Sequence, residues 1–490
     1  MANTKIPNEL LELSVKTFGT SSLMIGDTTT GTIDAANYNT GVGVDVFAAL
    51  TTGDSNSAFG TFALSSNTTG SKNTALGYGT LTSNSTGYNN VAIGYGTLLL
   101  NTTGLQNTGV GYNSLNANTT ASNNAAVGYN ALSANTTGTQ NTALGSSAGR
   151  SCTTGSYNVS IGYAALDSST TGAQNVAIGR YAMILNTSGY SNVGIGNNAM
   201  YANTTGYGNI GIGDGALDAN TTANNNTAIG YLSLTRNTTA TDNVAVGASA
   251  LTMNTTGAQN TGLGRYALEN NTTGSFNTAV GFQALESSTT GAENTALGSY
   301  ALFENTTGAN NTCLGVSAGN EITTSNNNTV VGQGASISSG TSQGNEVVLG
   351  QGLTGIGYHQ GILGGVNGVY NQPNSTSFAQ TSDERIKKNI EDYTLGLDTI
   401  NNIRVRTFEY RELDEIPNGT DGKILNPNEL PEGERVGVIA QEIIDVLPSC
   451  VTEHENSRLS VTTDNVFWTL VKAVQELSAE VEELKSQIGN

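Results

Sequence analysis

From Asn39 onward the chain repeats one short pattern of polar and apolar positions. Around Asn73 it reads NTALGYGTLTSNSTG, and the glycine at Gly77 recurs at Gly94, Gly111, Gly128 and onward to Gly332, and backward to Gly60 and Gly43. That makes 18 glycines seventeen residues apart, with no insertion or deletion. Four residues before each stands an asparagine, from Asn39 to Asn328, and the residue just before each glycine is always apolar, as in Leu76, Ile93, Val110 and Phe59. Triplets such as Val91-Ala92-Ile93 alternate between two faces, which predicts a short strand. The glycine predicts a turn through positive φ. A second short extended piece is expected around Leu81, Leu98 and Leu115, and the NTTG that follows closes the coil with turn-forming residues. A helix is excluded, because seventeen residues holding several glycines cannot propagate one.

Each repeat is therefore one coil of a mainly β fold, a β-solenoid or β-roll, whose apolar face is covered only by the coils above and below. The strict spacing places the asparagines in a ladder of side-chain amide bonds. At about 4.8 Å per coil the stack reaches roughly 85 Å. Gly26, preceded by SLMI, keeps the phase without the asparagine and reads as a first coil or cap. The organisation predicted is an N-terminal attachment or cap segment over 1–38, the solenoid shaft over 39–335, a glycine-rich transition over 336–381, and a separate module over 382–490.

Composition narrows the function classes. The chain has 490 residues, a net charge of −20 and only 11% charged residues. So acidic a chain lacks the basic footprint that nucleic acid requires. Pro7 is followed by no proline until Pro373, which suits an unbroken hydrogen-bonded ladder. Cys152, Cys313 and Cys450 are scattered and form neither a disulfide framework nor a metal motif, so no metal or cofactor is expected. The start MANTKIPNELLELSV lacks the pattern of a signal peptide, and no apolar run approaches the ~18 residues of a membrane helix. The expectation is a chain made in a cytoplasm, with no membrane insertion.

The shaft offers three kinds of candidate. Twelve of the NTTG asparagines, among them Asn67, Asn101 and Asn203, begin an N-x-[ST] sequon; they read as turn residues, not glycan acceptors. Tyr78, Tyr95, Tyr112, Tyr129, Tyr163 and Tyr231, with Phe282, follow the repeat glycine and line up on one edge. They are either an aromatic ladder that stabilises the roll or a set of surfaces for sugar rings. The carboxylates Asp167, Asp214, Asp218, Asp242, Glu269, Glu286, Glu293 and Glu304 are sparse. A glycosidase needs two of them facing each other across a cleft, and no insertion builds one around Asp214 and Asp218.

The chain changes character at Ser382. Residues 382–490 hold 22 of the 38 acids and 11 of the 18 bases, together with the only tryptophan, Trp468. This module reads as a small α+β domain ending in a helix. Phe467, Leu470, Val474, Leu477, Val481, Leu484 and Ile488 are spaced alternately three and four residues apart, a heptad seam able to hold chains together. Taken alone, Ser382 reads as a helix N-cap and Lys387 as a solvated helix residue.

Two resemblances extend this reading. The N-x-A-[IVL]-G core resembles the head repeats of trimeric autotransporter adhesins, with a longer period, and is similar to repeats of bacteriophage tail fibres. The succession TSDERIKKNIEDY, FEY, ERVGVIAQEIIDVLP and a terminal heptad helix resembles the endosialidase-type intramolecular chaperone domain. That resemblance implies a homotrimer whose last domain guides the β-structured part into register and then cuts itself off. It makes Ser382 the nucleophile and Lys387 the base, with cleavage at Ser382–Asp383. Burial and the neighbouring cations Arg385 and Lys388 would lower the lysine towards a useful pKa. The implied setting is a virion appendage, joined through its N-terminus to a tail or baseplate protein and facing a host-surface glycan or protein. A glycan-degrading tail spike and a bacterial trimeric surface adhesin are the alternatives.

Overall fold

The computed structural model describes residues 15–26, 35–341, 344–357, 359–364, 369–371, 378–379, 388–409, 433–453 and 459–488. The chain divides into two compact units, Met1–Thr381 and Ser382–Asn490.

The first unit is the seventeen-residue solenoid. One three-residue strand falls in every repeat, from Thr40–Val42 to Thr329–Val331. Each but the last pairs in parallel with the strand seventeen residues on, as Thr74 pairs with Val91, while Thr329 pairs with Val347, eighteen on. The middle strand residue points inward, where Ala75, Ala92 and Ala126 are fully buried, while the two flanking residues face outward. An antiparallel hairpin of Val15–Phe18 and Ser22–Ile25 starts the stack, its second strand pairing in parallel with Thr40–Val42. Past the last exact repeat the ladder runs on through Val347–Leu349 and Gly361–Leu363, then turns antiparallel at Val369–Asn371.

The repeat glycine sits where only glycine fits. Gly77 has φ +135°, and a Cβ there would lie 2.4 Å from the carbonyl oxygen of Gly94 in the next coil.

The second extended piece does not form. The residues after the glycine make a tight turn in which Leu81, Leu98 and Leu115 adopt left-handed backbone angles, φ +51°, +52° and +51°. This conformation costs a leucine about 1–2 kcal/mol. In return its side chain is fully buried, worth about 1.5–3 kcal/mol, and its N–H reaches the neighbouring coil, as Leu81 N–H donates to Thr97 O at 3.2 Å. Tertiary packing decides the backbone here, against local preference.

Two buried asparagine ladders hold the coils together. Asn73 shows the first: its backbone N–H and its Nδ2 both donate to Asn56 Oδ1, at 3.0 and 3.1 Å, and Nδ2 also donates to Gly87 O at 2.9 Å. Its own Oδ1 accepts from Asn90. The backbone link persists to Asn328, whose Oδ1 accepts from the N–H of Glu346. The second ladder is made of the NTTG asparagines: Asn84 Nδ2 donates to Asn67 Oδ1 at 2.9 Å and to Gly87 O at 3.0 Å. Both ladders thus converge on one turn carbonyl per coil. Cys152, Ser169 and Ser288 interrupt the second ladder and Ile322 ends it, and at these points Asn135 Oδ1, Asn271 Oδ1 and both amide atoms of Asn305 lack a partner.

The second unit is small. Helices α1 (Leu397–Asn401) and α2 (Ala440–Ile443) accompany two antiparallel strand pairs, Arg406–Phe408 with Arg435–Gly437 and Val451–Glu453 with Leu459–Val461. The long helix α3 spans Thr463–Ile488. Ile443, Leu447 and Cys450 form the buried centre, with Ile403, Val438, Val451, Val461 and Val466 packed around it. Helix α3 is pinned by Tyr393 Oη, 2.9 Å from Thr469 Oγ1, and by Leu397 N–H donating to Glu476 Oε2 at 2.7 Å. No described helix is long and apolar enough to cross a membrane.

Candidate functional site

The proposed cleavage site, Ser382, Asp383 and Lys387, lies outside the described residues, as does Arg385. The framework beyond it is described. Arg406 clamps Glu442 with two hydrogen bonds, Nε to Oε2 at 3.0 Å and Nη2 to Oε1 at 2.7 Å, tying a strand to α2. The guanidinium holds the Glu442 carboxyl below the usual carboxylate range. An open groove of about 510 Å³ runs along α3, lined by Asp392, Tyr393, Asn465, Trp468, Lys472 and Gln475 among others. The heptad residues of α3 are all exposed, from Val481 at 41% to Ile488 at 84%.

On the shaft, Tyr78, Tyr95, Tyr112 and Tyr129 form one continuous stack, with centroids 5.2–5.3 Å apart and planes within 9–11° of parallel. Their ring faces are turned to one another, so the stack offers solvent its edges and hydroxyls; a sugar ring packs on a face. Tyr163 meets Tyr181 edge-on, and Tyr231 is 58% exposed without a ring neighbour among the described residues. A second stack, Tyr190 on Tyr207 at 4.9 Å, lies in a different column and was not singled out by the repeat consensus.

The sequon asparagines prove to be interior residues. Asn67, Asn101 and Asn203 are fully buried in the second amide ladder. The signal was present, an asparagine recurring every seventeen residues, but a turn-forming tetrapeptide hid its inward direction.

Six of the eight candidate shaft carboxylates occupy the turn after the glycine, while Asp242 and Glu293 stand just before the repeat asparagine. Asp218 is shifted upward, first by burial and then by the charge of Asp214. Asp167 is also raised by burial, against the opposing pull of Arg150, whose Nη2 donates to it at 2.8 Å. Glu269 is raised by burial and by Glu286, with Arg265 acting the other way. Burial pushes the Cys152 thiol up to about 11, and Cys313 higher still, so neither forms a thiolate near neutrality. A residue that sequence reasoning passed over closes the first ladder. The buried Glu346 carboxylate accepts from Ser338 N–H at 3.1 Å, Ser338 Oγ–H at 2.5 Å and Gly357 N–H at 3.4 Å.

Comparison with known families gives one result. Residues 382–452 match the family described as chaperone of endosialidase. No curated protein and no solved structure matches the chain. The chain thus couples a β-solenoid to an endosialidase-chaperone domain.

Proposed function

We propose that this chain is a bacteriophage tail fibre or a comparable virion appendage, built as a homotrimer in the host cytoplasm and carried on the particle. The N-terminal region joins a tail or baseplate protein, the solenoid is a stiff shaft that meets a host-surface glycan or protein, and the last unit is a folding template. The observation that carries this reading is the junction itself: a uniform β-solenoid running into an endosialidase-chaperone match that begins at Ser382.

The physical need for a template supports it. Every coil repeats the same asparagines, glycine and inward alanine, so copies shifted by one whole coil make nearly the same contacts. Non-local β assembly is also slow and exposes sticky surfaces on the way. A terminal unit that aligns chains removes that degeneracy. The Ser382 hydroxyl, its proton taken by Lys387, adds to the carbonyl of the Ser382–Asp383 peptide. The C–N bond breaks, Lys387 returns the proton to the leaving Asp383 amine, and water hydrolyses the ester. The template is released and the shaft is left behind a high unfolding barrier.

Intact-mass analysis of the expressed chain tests the assignment. Wild type should give a fragment ending near Ser382, and Ser382→Ala and Lys387→Ala should stay full length. Uncut wild type under folding conditions would remove the peptidase role.

A further inference from the structure

We propose that the outward side of the strand ladder is the surface through which copies of this chain meet, in parallel and in register, along the whole shaft. This rests on the homo-oligomeric reading above and assigns it a face.

The residue before each repeat glycine, such as Leu76, Val110, Ile195 and Leu297, is aliphatic or phenylalanine in all 18 coils, yet it points outward. Leu76, Leu144 and Leu297 are 48%, 49% and 46% exposed. The other outward column, two residues earlier, holds Thr, Val, Ile, Ser or Ala only. The result is an uncharged stripe two side chains wide, one column wholly apolar and the other mixing threonine with valine, isoleucine, serine and alanine. At about 4.8 Å per coil it is roughly 80 Å long. Soluble monomers rarely expose so continuous an apolar strip. At about 10 Å of width it covers roughly 800 Å², the area one partner gives to a stable interface.

Three observations identify the occupant as a second copy. The first is pitch: the stripe presents an apolar group once per coil over 18 coils, and a partner that matches it rung for rung needs the same seventeen-residue period. The second is charge. The chain carries −20, so copies repel, but no charged residue stands in the strand columns. Arg150, Asp167, Asp214, Asp218 and Glu269 all lie in the turn after the glycine. Asp54, Lys72, Asp242 and Glu293 stand just before the repeat asparagine, also outside the strand columns. Like-charged copies can therefore approach on this side without burying an unpaired charge, as they could on the equally uncharged but polar NTTG turns, which lack its apolar column. The third is independent: α3 leaves its own heptad seam exposed, and a seam of this kind is covered by the equivalent helix of another copy. Copies related by a rotation about an axis parallel to the shaft bring each rung against itself.

Homotypic cross-linking of the full chain tests this, because Cys152, Cys313 and Cys450 are buried and leave an introduced thiol as the reactive one. Leu76→Cys, Ile195→Cys and Leu297→Cys, each alone and oxidised with copper phenanthroline, should all give covalent dimers. In a trimer two of the three thiols at a rung pair and one stays free. Thr205→Cys, exposed in the NTTG turn, should give none. A link at Ile195 alone would mean antiparallel copies and overturn the parallel register. Links at Thr205 but not on the strand face, in an oligomer, would overturn the assigned face while leaving the oligomer intact. A wild-type chain that is monomeric by light scattering would remove the oligomer itself. The triple variant Ile178→Lys/Ile195→Lys/Ile212→Lys should lose the Leu76→Cys and Leu297→Cys links. Thr171→Lys/Ser188→Lys/Thr205→Lys should keep them, and loss in both sets would count against the face.

Discussion

The two units solve the problem of burial in opposite ways. In the shaft each coil is finished by its neighbours: Leu81, Leu98, Leu217 and Leu251 are fully buried, and the ladder asparagines spend nearly every donor and acceptor on adjacent coils. In the terminal unit the buried centre is Ile443, Leu447 and Cys450, while Val436, Trp468 and Leu484 are 72%, 59% and 55% exposed. The shaft is uniform and nearly self-sufficient within a chain; the terminal unit is irregular and, among the described residues, incompletely covered. On the proposed function, uniformity gives strength without an address, and the terminal unit supplies the address.

The largest effect should come from the incomplete side. Leu477→Asp with Leu484→Asp places two charges in the exposed seam of α3 without touching the shaft. The yield of protease-resistant oligomer should fall by about tenfold or more, a loss of about 1.4 kcal/mol or more in assembly. An unchanged yield would mean the seam is an ordinary solvated face.

Next comes the shaft's steric constraint. Gly179 has φ +131°, and a Cβ there would sit 2.4 Å from Gly196 O; Gly334, at φ +62°, has open space around it. Gly179→Ala should cost about 3 kcal/mol or more and Gly334→Ala about 1 kcal/mol, read as shifts in the denaturation midpoint. Equal costs would mean that coil spacing is not set by the glycine column.

The ladders come third. Asn192→Ala deprives Asn175 Oδ1 and Gly206 O of a donor and Asn209 N–H of its acceptor, and should cost about 2–3 kcal/mol. Ser288→Asn rejoins Asn271 to Asn305 and should gain about 1 kcal/mol by the same measure. A gain there would show that the second ladder, and not only the first, stabilises the stack.

How much of this could be read from residues follows from the same contrast. The period, the strand, the glycine turn and the first ladder were legible because each coil repeats the evidence of the last. The left-handed Leu81 and its equivalents were not, since only the coils above and below make that conformation worthwhile. The inward asparagines of NTTG were missed for a related reason: local turn chemistry and interior stacking ask for the same residue. Glu346 stands once, where the ladder ends, so no repetition marks it. In the terminal unit the heptad spacing foretold a helix, found as Thr463–Ile488. Its Ser382 and Lys387 roles rest on resemblance, because one serine and one lysine carry no period.

The smallest effect concerns charge. Asp218 is raised above its ordinary range by burial and by Asp214. A carboxyl raised on folding binds its proton more tightly in the folded state, so its penalty is present at neutral pH and fades as pH falls through the raised value. Asp214→Asn should therefore stabilise the shaft at neutral pH by about 0.5 kcal/mol, given the partial exposure of the pair. The gain should vanish on titration to below about pH 4, the unfolded value for aspartate.

The most direct measurement compares refolding with and without the terminal unit. Cleaved, purified shaft and uncut Ser382→Ala protein are each unfolded in denaturant and diluted under identical conditions, and the protease-resistant, in-register oligomer is quantified. A removable template predicts recovery from the uncut protein and little or none from the cleaved shaft, even though the native cleaved shaft withstands denaturant at least as well. Equal recovery from both would contradict it, leaving a shaft that finds its own register and a terminal unit with some other task.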